Sequence, residues 1–305
     1  MPKKSQIVLA VGATGPFAGL VPPALLRRGI RVRALVHSPA KVESLRQHGV
    51  EEIAIGNLRD LASLERAVEG VDGVFHIGPT FVADEAQLGL NMVEAAQRAG
   101  VRRFVFSSVI QPTSSRLSNH ASKIAVEDAI FASGMEFVVL QPANYFQGIG
   151  KVWSNVIQKG VFEEAFPKSA RIARVDYRDV AETVGIGFAE DRLTYGTFEL
   201  CAGLMNREEI VAVMSDVLGR KIGAAEPAFE EWSAAAGIPT GAEQRQGMKN
   251  LFAYYAHSPV GGNSLVLRAI LQREPTNLRQ YIESLVTSGL PQDSSISSTS
   301  LRANP

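Results

Sequence analysis

The chain has 305 residues, of which 46% are hydrophobic and 20% are charged, and its 31 basic residues balance its 31 acidic ones. This composition is typical of a globular protein with a sizeable core. Neutrality without a long Lys or Arg run argues against nucleic acid as the main ligand, because phosphate binding depends on clustered positive charge. The single cysteine, Cys201, excludes an internal disulfide, and its apolar surroundings predict a buried thiol.

The first residues lead directly into an apolar run, without the pattern of a signal peptide. No apolar run approaches the roughly 20 residues that a membrane-spanning helix needs. We therefore expect a soluble, cytoplasmic protein with no membrane partner. No metal-ligand spacing is present either, so no metal site is predicted.

A short β-branched run followed by a helical pattern recurs six times between residues 6 and 141. The runs are almost continuously apolar, as expected for parallel strands with helices on both faces. The predicted strands are Gln6–Val11, Arg31–Val36, Glu52–Ile55, Gly73–Ile77, Arg103–Phe106 and Phe137–Leu140. The predicted helices are Pro16–Arg28, Pro39–Gln47, Leu61–Val68, Glu85–Arg98 and His120–Ala132. This alternation predicts an α/β fold with a doubly wound parallel sheet of the Rossmann type.

After Pro142 the pattern changes to short strand-like pieces mixed with helices. Strands are predicted at Arg171–Val175, Thr197–Cys201 and Lys221–Ala224. Helices are predicted at Arg178–Ala189, Arg207–Leu218 and Phe229–Ala236, with two or three more between Gly241 and Thr287. The prediction is a Rossmann domain over 1–150 and a smaller α+β cap over 151–290, partly interleaved with the sheet. The Ser-rich residues 291–305 are expected to be disordered.

A glycine loop directly follows the first strand, in the order Gly12, Ala13, Thr14, Gly15, Pro16, Phe17. A strand, a glycine turn and a helix N-terminus bring backbone N–H groups against a pyrophosphate, which glycine allows to approach closely. A glycine pattern alone also fits a tight turn without a ligand. Here the preceding strand and the following strand–helix units supply the context that the motif requires. We therefore predict that this loop binds a nicotinamide dinucleotide.

The end of the second strand selects the ribose substituent of such a cofactor. A fold specific for NAD places Asp or Glu about 20 residues past the loop, to bind the ribose hydroxyls. This sequence has His37, Ser38 and Lys41 there, so no carboxylate repels a 2′-phosphate. Ser38 as a helix N-cap would also direct N–H groups at the same position. We expect NADP(H), with NAD(H) less favoured, although each residue alone also fits a solvated surface group.

Two further strand ends are predicted to line the dinucleotide site. We assign Asn57 and Leu58, after the third strand, to the adenine edge. Gly78 and Pro79, after the fourth strand, are assigned to the ribose side, where glycine allows a close backbone approach. Asp60 is interpreted as a helix N-cap rather than a ligand.

Together these motifs resemble the NmrA-like group of atypical short-chain dehydrogenases, over about residues 6–288. Further motifs that carry the resemblance are Ser107-Ser108, His120-Ala-Ser-Lys123 with Glu127, Gln141-Pro-Ala-Asn-Tyr-Phe146, Val175-Asp-Tyr-Arg-Asp-Val-Ala181 and Leu271-Gln-Arg-Glu-Pro-Thr276. The group includes NAD(P)H-dependent reductases of quinones, dyes and phenylpropanoid ethers, and also redox-sensing regulators. The resemblance implies dinucleotide contacts at residues 12–17, His37, Lys41, Asn57, Gly78, Lys123 and Tyr145.

The catalytic pattern of ordinary short-chain dehydrogenases is incomplete here. They use Tyr-x-x-x-Lys, in which the lysine lowers the pKa of the tyrosine. Lys123 is present, but Asn119 occupies the tyrosine position, and an amide cannot act as a general acid. Two candidates for the catalytic role are left: Lys123 itself, and His120 on the same helical face. The open alternatives are Lys123 as a ribose ligand only or as a solvated helix lysine, and His120 as a surface or N-cap residue.

The sequence favours an NADPH-dependent reductase of a planar conjugated or quinone-like molecule, because such substrates need little acid catalysis. The alternative is a non-catalytic NADP(H)-sensing regulator that acts through a protein partner. A substrate pocket is expected at the carboxyl ends of the strands, with walls that include Trp232 and residues 252–255. The same aromatic run also fits a helix packed into the cap. The substrate's identity and a homodimer are left open.

Overall fold

The computed structural model describes residues 6–236, 241–258 and 260–288, so the predicted disordered tail lies outside the described residues. The strands are β1 Ile7–Val11, β2 Arg31–Val36, β3 Glu52–Ile55, β4 Gly73–His76, β5 Arg103–Ser107, β6 Glu136–Pro142, β7 Asn144–Tyr145, β8 Val161–Glu163, β9 Ile172–Val175, β10 Gly196–Leu200, β11 Gly203–Met205 and β12 Gly223–Ala225. The α-helices are α1 Val21–Leu26, α2 Val42–Gln47, α3 Leu61–Val68, α4 Glu85–Arg98, α5 Ser118–Ala132, α6 Gln147–Lys151, α7 Trp153–Lys159, α8 Tyr177–Ala189, α9 Arg207–Leu218, α10 Phe229–Ala235, α11 Ala242–His257, α12 Leu265–Leu271 and α13 Leu278–Thr287.

Seven parallel strands form the central sheet in the order β10–β6–β5–β4–β1–β2–β3. The strand order runs outward in both directions from the neighbours β1 and β4. A crevice therefore opens between these two strands at their carboxyl ends, where ligands bind in this class of sheet. This arrangement is the Rossmann fold, and it confirms the predicted fold class.

Both faces of the sheet are buried, which explains the continuous apolar runs. In β1, Val8 and Ala10 belong to one buried cluster while Leu9 and Val11 belong to another, because successive side chains point to opposite faces. Residues of α1, α8 and α12 cover the first face, and residues of α3, α4 and α5 cover the second. Cys201 directly follows β10 and is fully buried, as predicted.

The helix predicted over residues 16–28 begins later than expected. The glycine turn is followed by a 3-10 helix, Ala18–Leu20, and the α-helix runs only from Val21 to Leu26. Pro22 and Pro23 lie in its first turn, because proline has no N–H to donate and is tolerated only there. Similarly, residues 39–41 form a 3-10 turn before α2 rather than the first turn of that helix.

The C-terminal part contributes both to the sheet and to a smaller α+β cap. It supplies the edge strand β10 and the helices α8 and α12 to the main layers. The cap contains the sheet β11–β9–β7, the parallel pair β12–β8 and a separate apolar cluster of α6, α7, α9 and α13. The boundary between residues 150 and 151 stays a prediction.

The motifs of residues 175–181 and 271–276 meet at the buried carboxylate of Asp179, which is 1% exposed. It accepts hydrogen bonds from the backbone N–H (2.6 Å) and hydroxyl (3.1 Å) of Thr276 and from Nη2 of Arg273 (2.7 Å). These contacts attach α8 to the segment before α13. Both motifs therefore have a structural role in holding the cap helices to the sheet.

We predict that Asp179→Asn lowers the free energy of unfolding by about 2 kcal/mol, because hydrogen bonds to a buried charge are stronger than neutral ones. The matched control is Glu182→Gln, which removes the exposed partner of Arg273 (2.6 Å) and should cost less than about 1 kcal/mol. Urea unfolding of both variants measures the difference. Equal losses would show that Asp179 is not the main attachment.

Candidate active site

The glycine loop forms a tight corner between β1 and the first helical turn. Gly12 has φ +76°, a conformation that side chains disfavour, and the N–H of Gly15 donates to the Gly12 carbonyl (2.7 Å). A Cβ on Gly12 would lie 3.0 Å from Cγ2 of Ile77 and 3.2 Å from Cβ of Ala18. Both the backbone conformation and the close packing at this corner therefore require glycine at position 12. Of the other predicted loop residues, Ala13 is buried, Thr14 and Phe17 are half-buried and Pro16 is exposed.

The ends of β2 and β3 lie at the same carboxyl edge. His37, Ser38 and Lys41 are all exposed there, and the Ser38 hydroxyl accepts from the Ala40 N–H (3.4 Å). The first acidic residue after β2 is Glu43, inside α2. No carboxylate side chain therefore lies between the end of β2 and the start of α2.

Asn57 and Leu58 are held in a turn by local contacts. The Asn57 side-chain oxygen accepts from the Arg59 N–H (3.0 Å), and the Leu58 carbonyl accepts from Asn91 Nδ2 (2.8 Å). Asp60 accepts from the Ser63 N–H at the start of α3, so its interpretation as an N-cap is confirmed. The assignment of Asn57 and Leu58 to adenine stays a prediction.

Lys123 is buried in an ion pair that the sequence did not predict. Its Nζ lies 2.5 Å from Oε1 of Glu85, and the two side chains are only 8% and 4% exposed. The second carboxylate oxygen of Glu85 accepts from the backbone N–H of Phe81 (3.0 Å), whose φ is +62°. A Cβ on Gly78 would lie 3.6 Å from Lys123 Nζ, so the glycine leaves space beside the ammonium group. Pro79, the next residue, is exposed.

His120 is 2% exposed, which excludes the alternative of a surface residue. Its Nδ1 lies 3.1 Å from the Gln111 carbonyl, and a carbonyl can only accept, so Nδ1 carries the proton. Burial lowers the pKa of His120, and this effect outweighs the hydrogen bond to Gln111, which raises the pKa. The ring is therefore neutral near pH 7, and its Nε2 can accept a proton but has none to donate.

Tyr145 lies beside the glycine loop. Its ring packs edge-on against Phe17, with centroids 4.8 Å apart, and against Tyr177 at 4.7 Å. Burial raises the pKa of the Tyr145 hydroxyl. Glu127 accepts hydrogen bonds from the Ser108 hydroxyl (2.5 Å) and from Gln141 Nε2 (3.0 Å). These three motif residues therefore have a structural role.

One continuous cavity of about 440 Å³ connects these features. Phe17, Ile77 and Gly78 line it at the glycine corner, and Asn119, His120 and Lys123 line it beyond. Its far wall is aromatic, with Trp232, Phe252 and Tyr255. The pocket predicted at the strand ends is thus present. Phe252 and Tyr255 also pack against Phe166, which agrees with the alternative that this aromatic run is packed into the cap.

The helix α11 closes the cavity against the Phe81 turn. A Cβ on Gly247 would lie only 2.4 Å from the Phe81 ring, so the helix approaches this ring because residue 247 has no side chain. Within the described ranges, no group of three His, Cys, Asp or Glu side chains could hold a metal ion. Over the same ranges, no helix is long and apolar enough to cross a membrane.

The model of the NmrA-like family matches residues 3–281. The chain belongs to the NmrA-like family. This membership confirms the resemblance of the motifs, and it covers both the Rossmann sheet and most of the cap.

Two curated relatives of this NmrA-like protein are oxidoreductases. NAD(P)H azoreductase of Xenophilus azovorans is 30% identical over 176 residues, which is 57% of this chain and 60% of that protein. Quinone oxidoreductase 2 of Escherichia coli (strain K12) is 26% identical over 182 residues, 58% of this chain and 63% of the relative. The chain thus matches less than two thirds of the length of either relative.

Solved structures of the same fold include an enzyme and a regulator. The triphenylmethane reductase of Citrobacter sp., complexed with NADP(H), has a TM-score of 0.79 and 21% identity, covering 92% of this chain and 99% of that one. NmrA, a negative transcriptional regulator in complex with NAD, has a TM-score of 0.75 and 16% identity, covering 94% and 99%. At these identities the likeness shows the fold alone.

His76 generates a prediction about acid stability. It is 1% exposed, and burial, followed by the charge of Lys123, lowers its pKa from 6.5 to about 3. Between these values the unfolded chain binds a proton that the folded chain does not, so stability falls as the pH falls below 6.5. The free energy of unfolding of the wild type falls between pH 6.5 and pH 5. We expect this fall to be smaller by about 2 kcal/mol in His76→Phe.

Urea unfolding at several pH values, with wild type and variant side by side, measures this difference. An aromatic replacement is suitable because the ring stacks on Phe106 at 5.7 Å and its Nδ1 has no hydrogen-bond partner among the described residues. The control is His48→Phe at an exposed position, which should keep the wild-type pH dependence. Parallel curves for wild type and His76→Phe would contradict the prediction.

Proposed function

We propose that this chain is an NADPH-dependent reductase of planar conjugated molecules, of the quinone or azo-dye class. The observation that carries the proposal is the continuous cavity, which joins the glycine corner and the buried Lys123 to an aromatic wall at Trp232 and Phe252. Aromatic walls and a few polar groups are typical of sites for flat organic ligands. The matches to an azoreductase and a quinone oxidoreductase support the same class of reaction.

The residues present fit a nicotinamide dinucleotide. Gly12 exposes backbone at the crevice where a Cβ would meet Ile77 and Ala18, and the edge past β2 has no carboxylate to repel a 2′-phosphate. The cofactor contacts in this proposal are Gly12, Ala13, Thr14, Gly15, Pro16 and Phe17 for the pyrophosphate, His37, Ser38 and Lys41 for the 2′-phosphate, Asn57 and Leu58 for adenine, and Gly78, Pro79, Lys123 and Tyr145 for the nicotinamide ribose.

The cofactor, when bound, supplies a hydride to the substrate. Lys123 is the proposed catalytic residue, because its ammonium borders the space beside Gly78, where it can orient the ribose and stabilise negative charge on the reduced substrate. Asn119 lines the cavity in place of the usual tyrosine, so no phenol donates a proton there. Reduced quinones and dyes are stabilised anions that take their proton from water, which makes this arrangement workable.

His120 is the weaker catalytic candidate. Its proton points to Gln111, so the neutral ring presents only the acceptor Nε2, and an acid role would require a second proton that its lowered pKa disfavours. We therefore propose that His120 accepts a hydrogen bond near the substrate. The alternative of a non-catalytic regulator is not favoured, because the two curated relatives described above are oxidoreductases.

A turnover assay with matched lysine variants tests the proposal. NADPH oxidation is followed with a panel of quinones and azo dyes, for wild type, Lys123→Met and Lys249→Met. We expect turnover by the wild type and a loss of about 100-fold in kcat/KM for Lys123→Met, since oriented charge at the reacting centre is removed. Lys249 is exposed on α11 and pairs with Glu230, so its variant should keep wild-type activity.

Two outcomes would contradict this proposal. A shift of the melting temperature with NADPH but no oxidation of it on any substrate would favour the sensing regulator. Turnover that survives unchanged in Lys123→Met would leave the reductase in place but refute the role of the lysine.

A second assay tests the preference for NADPH over NADH. His37→Glu should lower the ratio of kcat/KM with NADPH to kcat/KM with NADH by about tenfold, because the new carboxylate repels the 2′-phosphate. The control His48→Glu makes the same charge change at the other end of α2, an exposed position away from the strand edge, and should leave the ratio unchanged. An unchanged ratio in both variants would refute the assignment of this edge.

A further inference from the structure

One end of the cavity carries polar groups that the proposed reduction does not use. They come from β7, the residue after β8, β9 and α11, and we name them the distal cluster: Asn144, Glu164, Arg174 and Tyr255. One member, Asn144, lies on the side of β7 opposite to the residue that packs on the glycine loop. On β7, Tyr145 packs on Phe17 of that loop, whereas Asn144, its neighbour on the strand, faces the other side and donates to the Tyr255 hydroxyl (3.5 Å).

The distal cluster lies where buried positive charge exceeds buried negative charge. Arg174 is 2% exposed, and its Nη2 donates to both carboxylate oxygens of Glu164 (2.9 and 2.8 Å). The same carboxylate lies 3.5 Å from Nε of Arg207, which is also buried. One carboxylate therefore serves two guanidinium groups, which leaves an excess of one positive charge.

The other acids near these arginines do not remove the excess. Glu226 is exposed to solvent, which screens its charge, and it accepts from the backbone N–H of Lys168. Glu163 also lines the cavity, but it is only half-buried, so solvent partly screens its charge, and in the described part of the chain it forms no ion pair with Arg174 or Arg207. A net positive charge held out of water is unfavourable unless a negative group approaches it.

The distal cluster also has hydrogen-bond donors that lack acceptors. Arg174 meets Glu164 through Nη2 alone rather than through two parallel bonds, and its buried Nε has no hydrogen-bond partner among the described residues. The Tyr255 hydroxyl accepts from Asn144, which leaves its own proton for an acceptor. Burial raises the pKa of Tyr255 to about 12, so the phenol keeps that proton at neutral pH.

We propose that the distal cluster binds an anionic group, such as a carboxylate, carried by the flat aromatic substrate. The inference rests on the proposed reductase function and narrows its substrate class to conjugated molecules with an acidic substituent at the end opposite the reducible group. The anion offsets the excess charge beside Arg174, which lines the cavity, and accepts from the Tyr255 hydroxyl. The aromatic body lies between this end and Lys123, along the wall of Trp232 and Phe252.

The test compares two probes of the same shape, 2-naphthoate and the neutral 2-naphthamide. Their affinities for the full chain saturated with NADP⁺ are measured by calorimetry, which requires no turnover. We expect the wild type to bind the carboxylate at least tenfold more tightly than the amide. In the kinetic arm, a carboxylated naphthoquinone should have a higher kcat/KM than the unsubstituted one.

Arg174→Met should abolish the preference for the carboxylate. This variant leaves Glu164 paired with Arg207, so the remaining buried charges balance and the fold is expected to persist. The matched control is Arg171→Met, which loses the same charge at an exposed position that pairs with Glu209, and it should keep the preference. Tyr255→Phe removes only a hydroxyl and should weaken naphthoate binding by about fivefold, with naphthamide unchanged.

Equal affinities for the two probes in the wild type would overturn the inference, as would a preference that survives in Arg174→Met. Binding of neither probe would overturn it as well. A carboxylate preference in a protein that oxidises no NADPH would support the anion site while contradicting the reductase, so the two failures can be distinguished.

Discussion

The ion pair of Lys123 and Glu85 is the interaction on which the candidate site depends. Both charges lie out of water, so neither is stable without the other. The pair joins α5 to α4, and the free carboxylate oxygen holds the backbone of Phe81 in a left-handed conformation. Because the Phe81 ring packs against Gly247, one buried carboxylate connects the helix beside the sheet with the helix that closes the cavity.

The chemistry open to this site follows from the groups that surround the ion pair. An amide at Asn119, a neutral imidazole at His120 and a paired ammonium at Lys123 provide little general-acid catalysis. A substrate that accepts a hydride and spreads the resulting charge over a conjugated system needs none. Under the proposed function, the apolar, aromatic wall would provide contact area for such a molecule, and the protein would contribute mainly orientation and electrostatic stabilisation.

The features that the sequence predicted correctly are local ones. Strands β1 to β6 follow from continuous apolar runs, and the glycine corner follows from Gly12 directly after a strand. The start of α1 at Val21 was missed because the two prolines of its first turn were read as helix interior. The partnership of Glu85 with Lys123 could not be predicted, since 38 residues separate them and no periodicity marks a contact made by two folded helices. The distal cluster was missed for the same reason, because its members come from β7, β9, α11 and the residue after β8, which are far apart in the sequence.

The position of β10 constrains how this chain can be divided. Residues 196–200 complete the sheet beside β6, and α8 and α12 cover one of its faces. A fragment ending near residue 150 would leave the backbone edge of β6 and a broad apolar surface open to water, which favours aggregation over folding. During synthesis, the sheet is complete only after Leu200 has been added. The two predicted regions therefore share one sheet and one apolar core, so we expect neither to fold fully without the other.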